Sequence, residues 1–225
     1  MTGRAAVQKG LSLPQVPKIA VYVVGFVPAV WLFYAGVTDQ LGAAPMRYLE
    51  QALGLWALRF LVATLAVTPL RQLLGVNLLR YRRAIGLLAF YYAALHLITY
   101  VVLDQGLDFQ AIWADIVKRP YITIGMASFV LLVPLALTSN NLSIRRLGAQ
   151  AWNRLHKLVY LAAAGGALHY VMLVKAWPLE PLVYAAIVAA LLAYRLIRAL
   201  ARPARARRPA PDGTVLPSPR SRLAR

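Results

Sequence analysis

The sequence predicts an all-α integral membrane protein of six transmembrane helices, with both termini in the cytoplasm. Three observations predict it: 60% hydrophobic against 14% charged residues, six apolar stretches of spanning length, and basic residues concentrated on alternate connecting segments. Soluble domains hold about 45–50% apolar and about 25% charged residues, so this composition excludes an ordinary soluble domain. The absence of cysteine excludes disulfides, Cys-ligated iron–sulfur or zinc sites, catalytic thiols and covalent c-type haem attachment. Any metal must be held by His, Met, Tyr, carboxylate or backbone.

A helix needs about 20 mostly apolar residues to cross a bilayer, because lipid offers no partner to an unpaired backbone group. The stretch 19–37 meets that length. It contains Pro28 and leads into no small-x-small cleavage pattern, so it is expected to be a retained span rather than a secretory leader. The second span, 51–70, carries Arg59; the third, 84–103, carries His96; the fourth is 121–138. The fifth, 158–174, follows His156 and contains His169, and the sixth is 182–200. The connecting segments are too short for an inserted soluble domain, and no phosphate-loop or dinucleotide-binding motif occurs. Residues 1–18 are then a cytoplasmic N-terminus, 19–201 one six-span domain, and 202–225 an Arg-, Pro- and Ala-rich tail expected to be disordered.

The formal charge of +18 would suit a nucleic-acid binder, but its distribution argues otherwise. Arg4, Lys9 and Lys18 precede the first span. Arg71, Arg80, Arg82 and Arg83 fill the second connection, Arg145, Arg146, Arg154 and Lys157 the fourth, and nine Arg the C-terminal stretch. The intervening connections are near neutral and carry six of the seven acids. Positive-inside orientation of an even number of spans gives this alternation. Trp152 and Trp177 bracket the fifth span as interfacial aromatics do.

Ionisable residues inside spans are expensive and count as functional candidates. All three histidines fall in or beside the third and fifth spans. Both spans start in the cytoplasm and run parallel; His96 lies 15 residues beyond Tyr81, and His169 lies 17 beyond Trp152. At 1.5 Å per residue, each sits roughly 22–26 Å from the inner surface. Two imidazoles at matched depth can hold one metal between them, and neutral imidazole is a good ligand for haem iron. His156 lies near the inner surface, roughly 20 Å along the axis from His169 and on a different helix face. At its depth the third span offers Arg82 or Arg83 instead of a histidine, so a second bis-His haem is not supported. A haem with one protein ligand there, or contact with a flavin or quinone, remains open. Arg59 is a candidate partner for a haem propionate, and Arg83 is a candidate cofactor contact or an inside anchor. Tyr92 and Tyr100 share the face of His96 and could line a cofactor pocket or pack as core aromatics.

The run Arg82-Arg83-Ala84-Ile85-Gly86-Leu87 through Tyr92-Ala93-Ala94-Leu95-His96, the segments Tyr121–Met126 and Arg145–Gly148, and the motifs Trp152-x-x-Leu155-His156-Lys157 and Leu168-His169-Tyr170 together carry a family resemblance. Over about residues 20–200 the chain resembles the haem-binding membrane subunit of the bacterial protein-methionine-sulfoxide reductase system, within the ferric-reductase-like transmembrane superfamily. The resemblance implies a b-type haem protein of the bacterial inner membrane, with FMN also associated. It implies that electrons pass from the quinol pool or a cytoplasmic flavin reductase to a periplasmic molybdopterin methionine-sulfoxide reductase that repairs oxidised proteins. His96, His156 and His169 then occupy haem-associated positions. The larger relatives' fourth histidine is replaced here by Arg82 or Arg83. The periplasmic segment 104–119, with three Asp and Trp113, becomes the candidate docking surface for the reductase. The chain on this reading is an electron-transfer subunit rather than the catalytic one.

A competing class is a small transporter or proton channel that titrates His96 and His169. Transport folds usually show internal repeats or broken helices, and none is visible. A His-ligated metal hydrolase fails for want of a His-Glu-x-x-His motif and of an in-span carboxylate.

Overall fold

The computed structural model describes residues 16–173 and 178–201. Over these residues the chain forms eight α-helices: α1 (Lys18–Val37), α2 (Pro45–Leu73), α3 (Arg82–Ile98), α4 (Phe109–Lys118), α5 (Pro120–Leu137), α6 (Asn141–Leu155), α7 (Leu158–Leu173) and α8 (Leu179–Leu200). A 3₁₀ turn, Leu79–Tyr81, leads into α3, and a π-helical turn, Thr99–Asp104, continues it. Among the described residues five helices are long and apolar enough to cross a membrane: α1, α2, the continuous Leu79–Asp104, α5 and α8. The expected span 158–174 is the shorter apolar helix α7, of 16 residues. Trp177 and the basic tail 202–225 lie outside the described residues.

Local chemistry sets the helix starts. Pro45 and Pro120 open α2 and α5, where a missing N–H costs nothing. Asp108 caps α4 by accepting from the Gln110 and Ala111 amides at 3.0 Å, and Asn140 caps α6 through Ser143 N at 2.8 Å. Two segments read as plain connections are therefore helical. The segment 104–119 contains α4, and Asn141–Leu155 forms α6, broken at Gly148, whose φ is 76°.

The tightest pairings are α2 with α3 and α5 with α7, and α1 and α8 pack on the outside of this four-helix centre. Leu58, Leu61, Leu65, Ala89, Leu132, Ala162 and Ala163 form the shared core. Small residues on α7 permit the close approach that drives helix association in lipid. Gly165 is the extreme case, since a Cβ there would collide with Ser128 Oγ on α5. Ser128 in turn donates back to Ile124 O at 2.8 Å.

Two backbone interruptions are repaired by distant side chains. Pro69 in α2 has no N–H, so the Leu65 carbonyl loses its i+4 donor. Arg195 Nη2 of α8 supplies one at 2.7 Å, and the same guanidinium reaches Tyr160 OH at 3.2 Å. In α1, beside Pro28, the Tyr92 hydroxyl enters the helical ladder. It donates to Gly25 O at 2.7 Å and accepts from Ala29 N at 2.9 Å, bridging a pair that would otherwise bond directly. Tyr92 is completely buried among Phe26, Trp56 and Phe60. It therefore faces α1, and of the two tyrosines flanking His96 it is Tyr100 that lines the cavity described next.

Candidate functional site

A cavity of about 480 Å³ opens between α2, α3, α5 and α7. Its size falls within the roughly 300–1,000 Å³ of cofactor and small-molecule sites. His96 and His169 both line it, and α3 and α7 each present only small side chains one turn before the histidine, Ala93 and Gly166. An added Cβ at Gly166 would meet nothing within 4 Å, so this wall faces open space.

The imidazoles are fixed in the same way. His96 Nδ1 is 2.9 Å from the Glu50 carbonyl of α2, and His169 Nδ1 is 2.7 Å from the Tyr121 carbonyl of α5. A carbonyl only accepts, so each Nδ1 carries the proton and each Nε2 keeps a lone pair. Metal-ligating histidines are held by this second hydrogen bond. The ring centres are 6.2 Å apart, with planes at 72°. Two metal–nitrogen bonds of about 2 Å each, with roughly 1 Å from each nitrogen to its ring centre, span about 6 Å. One metal ion between the rings would fit that spacing, and the cavity would give a flat macrocycle room around it. The donor set, neutral imidazole without thiolate or carboxylate, matches haem iron. Among the described residues no group of three or more His, Asp or Glu side chains converges as a metal cluster, which leaves the imidazole pair as the candidate ligand set.

Arg47, Glu50, Asp104, Arg119 and Tyr121 surround one end of the cavity. Arg119 pairs with Asp115 at 3.2 Å, and Tyr100 OH donates to the same carboxylate at 3.2 Å. The π-turn that follows His96 brings Tyr100 and Asp104 to this rim; such widened turns recur at functional sites. Arg47 and Arg119 were not among the candidates from the sequence. Both lie in or beside connecting segments of the sequence, where nothing marks a rim residue.

The other candidates lie elsewhere. Arg59 is outside this cavity. Its Nε donates to Tyr184 OH at 2.9 Å, its Nη2 stands 3.8 Å from Glu180, and its guanidinium lies over Trp56. Arg83 is exposed and bonds Asn141 Oδ1 at 2.8 Å. His156 sits at the turn between α6 and α7, so it does not share a continuous helix with His169 as the axial spacing assumed. Its ring packs edge-on to Trp152 with centres 3.7 Å apart, and its buried Nε2 has no protein partner. Burial, then Arg82 and Arg83, hold its imidazole below the ordinary histidine range. Arg195, grouped by charge with the C-terminal arginines, reaches the same end of the bundle, where it lies near Arg82 and Tyr160. Its position inside an apolar span was the available signal.

The chain matches the family of ferric reductase like transmembrane components over residues 53–167, which include Gly54, His96 and Tyr121 and end just before His169. It is 66% identical over 181 residues to the protein-methionine-sulfoxide reductase heme-binding subunit MsrQ of Brucella anthropi, covering 80% of this chain and 82% of that one. The proteins of the same name from Brucella ovis and Brucella canis are each 67% identical over 177 residues, covering 79% of this chain and 80% of theirs.

Proposed function

Because the chain belongs to the ferric-reductase-like transmembrane family, among the heme-binding subunits of protein-methionine-sulfoxide reductase, we propose that it conducts electrons across the bacterial inner membrane through haem b held by His96 and His169. The reading rests on the tautomer-locked imidazole pair, with ring centres 6.2 Å apart on the wall of one cavity. The haem supplies reversible one-electron chemistry when bound, while the protein supplies ligation, orientation and electrostatics. His96 and His169 donate Nε2 lone pairs. Arg47 and Arg119 at the rim offer positive charge to propionate carboxylates. α7 serves as the fifth of six spans on this reading, with both termini cytoplasmic, so the rim faces the periplasm.

The donor is the quinol pool or a cytoplasmic flavin reductase, acting with FMN. The acceptor is a periplasmic molybdopterin methionine-sulfoxide reductase that repairs oxidised proteins. The rim segment, including α4 with exposed Phe109 and Trp113, is its docking surface. Near the cytoplasmic face, His156 with its unpartnered Nε2, together with Arg82 and Arg195, suits an anionic group of a second cofactor, a haem propionate or a flavin phosphate.

Haem per protein, measured by Soret absorbance and iron content on detergent-purified protein, tests the reading. His96→Ala and His169→Ala are expected to lose the bis-imidazole spectrum, while His156→Ala leaves that component in place. Retention of a wild-type spectrum by both His96→Ala and His169→Ala would overturn it.

A further inference from the structure

We infer that Gly54 and Gly125 are positioning residues that aim the two imidazoles by making room for the backbone acceptors of their Nδ1 protons. The inference rests on the proposed ligation by His96 and His169. In an α-helix the carbonyl of residue i already accepts from the N–H of residue i+4, so a second donor must approach on its remaining lone pair. The Cβ of residue i+4 leans back toward the helix N-terminus, hence toward that same carbonyl. A side chain there stands in the path of the incoming ring.

The acceptors are Glu50 O and Tyr121 O, and the residues four positions on are Gly54 and Gly125. A Cβ built on Gly54 would lie 3.1 Å from His96 Nδ1 and 3.3 Å from its Cε1. On Gly125 it would lie 2.8 Å from His169 Nδ1 and 3.0 Å from Cε1. Neither ring can yield freely, because each is tethered by its hydrogen bond and bordered by the opposite ring. The same four-part unit of carbonyl, glycine, imidazole and partner helix thus occurs twice, once in α2/α3 and once in α5/α7. By contrast, Gly86 on α3 has only ordinary contacts, with Thr64 at 3.8 Å.

Alanine favours helix more than glycine does, so a methyl group at either position does not weaken the helix itself. Its effect must come through the ring. Gly54→Ala, Gly125→Ala, Gly86→Ala, His96→Ala and His169→Ala are purified in detergent as the full chain and checked for monodispersity and helical circular dichroism. Haem per protein, haem dissociation on transfer to apomyoglobin, and low-temperature electron paramagnetic resonance g-values are measured. With haem bound, the g-values would follow the angle between the two imidazole planes, which is 72° for these rings. Gly54→Ala is expected to keep haem with altered g-values. Gly125→Ala, with the closer contact, is expected to bind about 10–100-fold more weakly, the range seen when a group orienting a metal-bound histidine is disturbed. Gly86→Ala is expected to match wild type. If Gly125→Ala does not insert, Gly54→Ala carries the test.

Wild-type g-values and haem retention in Gly54→Ala and Gly125→Ala, beside loss of haem in the histidine variants, overturn the positioning role and leave the ligation intact. Equal losses in Gly86→Ala also overturn it, by showing a general packing effect. Wild-type haem in both histidine variants overturns the ligation instead.

Discussion

Tyr92→Phe removes one oxygen atom from the interior of the bundle and leaves every apolar contact of the ring in place. That oxygen makes two hydrogen bonds to α1, at 2.7 Å to Gly25 O and at 2.9 Å to Ala29 N, and the side chain is fully buried. Each bond contributes about 0.5–1.5 kcal/mol net, so the variant loses about 1–3 kcal/mol. The lower end applies if α1 closes a direct Ala29 N to Gly25 O bond, which restores one of the two; the upper end applies if neighbouring Pro28 and the packing of Gly25 against Leu88 prevent closure. For a chain of this length a 2 kcal/mol loss lowers Tm by roughly 4–8 °C. Thermal unfolding followed by circular dichroism in detergent, alongside haem per protein at low temperature, separates stability from cofactor binding. The expected result is a lower Tm with haem occupancy unchanged, because the hydroxyl faces α1 and not the cavity. Loss of haem with an unchanged Tm would refute the placement and return Tyr92 to the cofactor pocket.

Arg195→Met keeps an unbranched stem, shorter than the original side chain, and strips the donor from the Leu65 carbonyl. A bare buried carbonyl costs about 1–3 kcal/mol, and the same thermal assay is expected to register it; an unchanged Tm would show that solvent or another group serves that oxygen. Gly165→Ala drives a methyl group into Ser128 Oγ and is expected to destabilise by about 1–3 kcal/mol as overpacking. Ser128→Ala removes the offending oxygen and leaves Ser128 Cβ at 3.5 Å from the new methyl, so the double variant is expected to recover most of the loss. Additive losses in the double-mutant cycle would contradict that geometry.

Much of the frame is legible in the sequence because lipid imposes simple rules on it. Hydropathy located the apolar helices, although α2 starts at Pro45 ahead of the expected 51 and α7 is shorter than the other spans, and matched depth singled out His96 and His169, whose ring centres the fold brings to 6.2 Å. Their acceptors were not legible. Glu50 and Tyr121 contribute main-chain oxygens, which every residue owns, and only Gly54 and Gly125 bear a trace of the arrangement. The orientation of Tyr92 was also hidden, since it shares a helix face with His96 but is drawn into the backbone of α1 by a pair of polar groups no hydropathy pattern records. α4 and α6 are illegible for a different reason: α4 is too short and α6 too polar to register in hydropathy. Depth counted from Trp152 assumed an unbroken helix to His169, but the chain turns at His156 and α7 begins at Leu158.

The bond between Arg195 and the Leu65 carbonyl has a consequence for how the protein is made. The two residues are 130 positions apart in the chain, and synthesis runs from the N-terminus. From the moment α2 enters the bilayer until α8 is delivered, the carbonyl opposite Pro69 lacks its eventual partner. Delivery of α8 thus completes α2, whose backbone is not fully satisfied until that distant helix has docked. A nascent chain halted before α8 keeps an unpaired Leu65 carbonyl, a polar notch in the apolar surface of α2 that the docking of α8 closes.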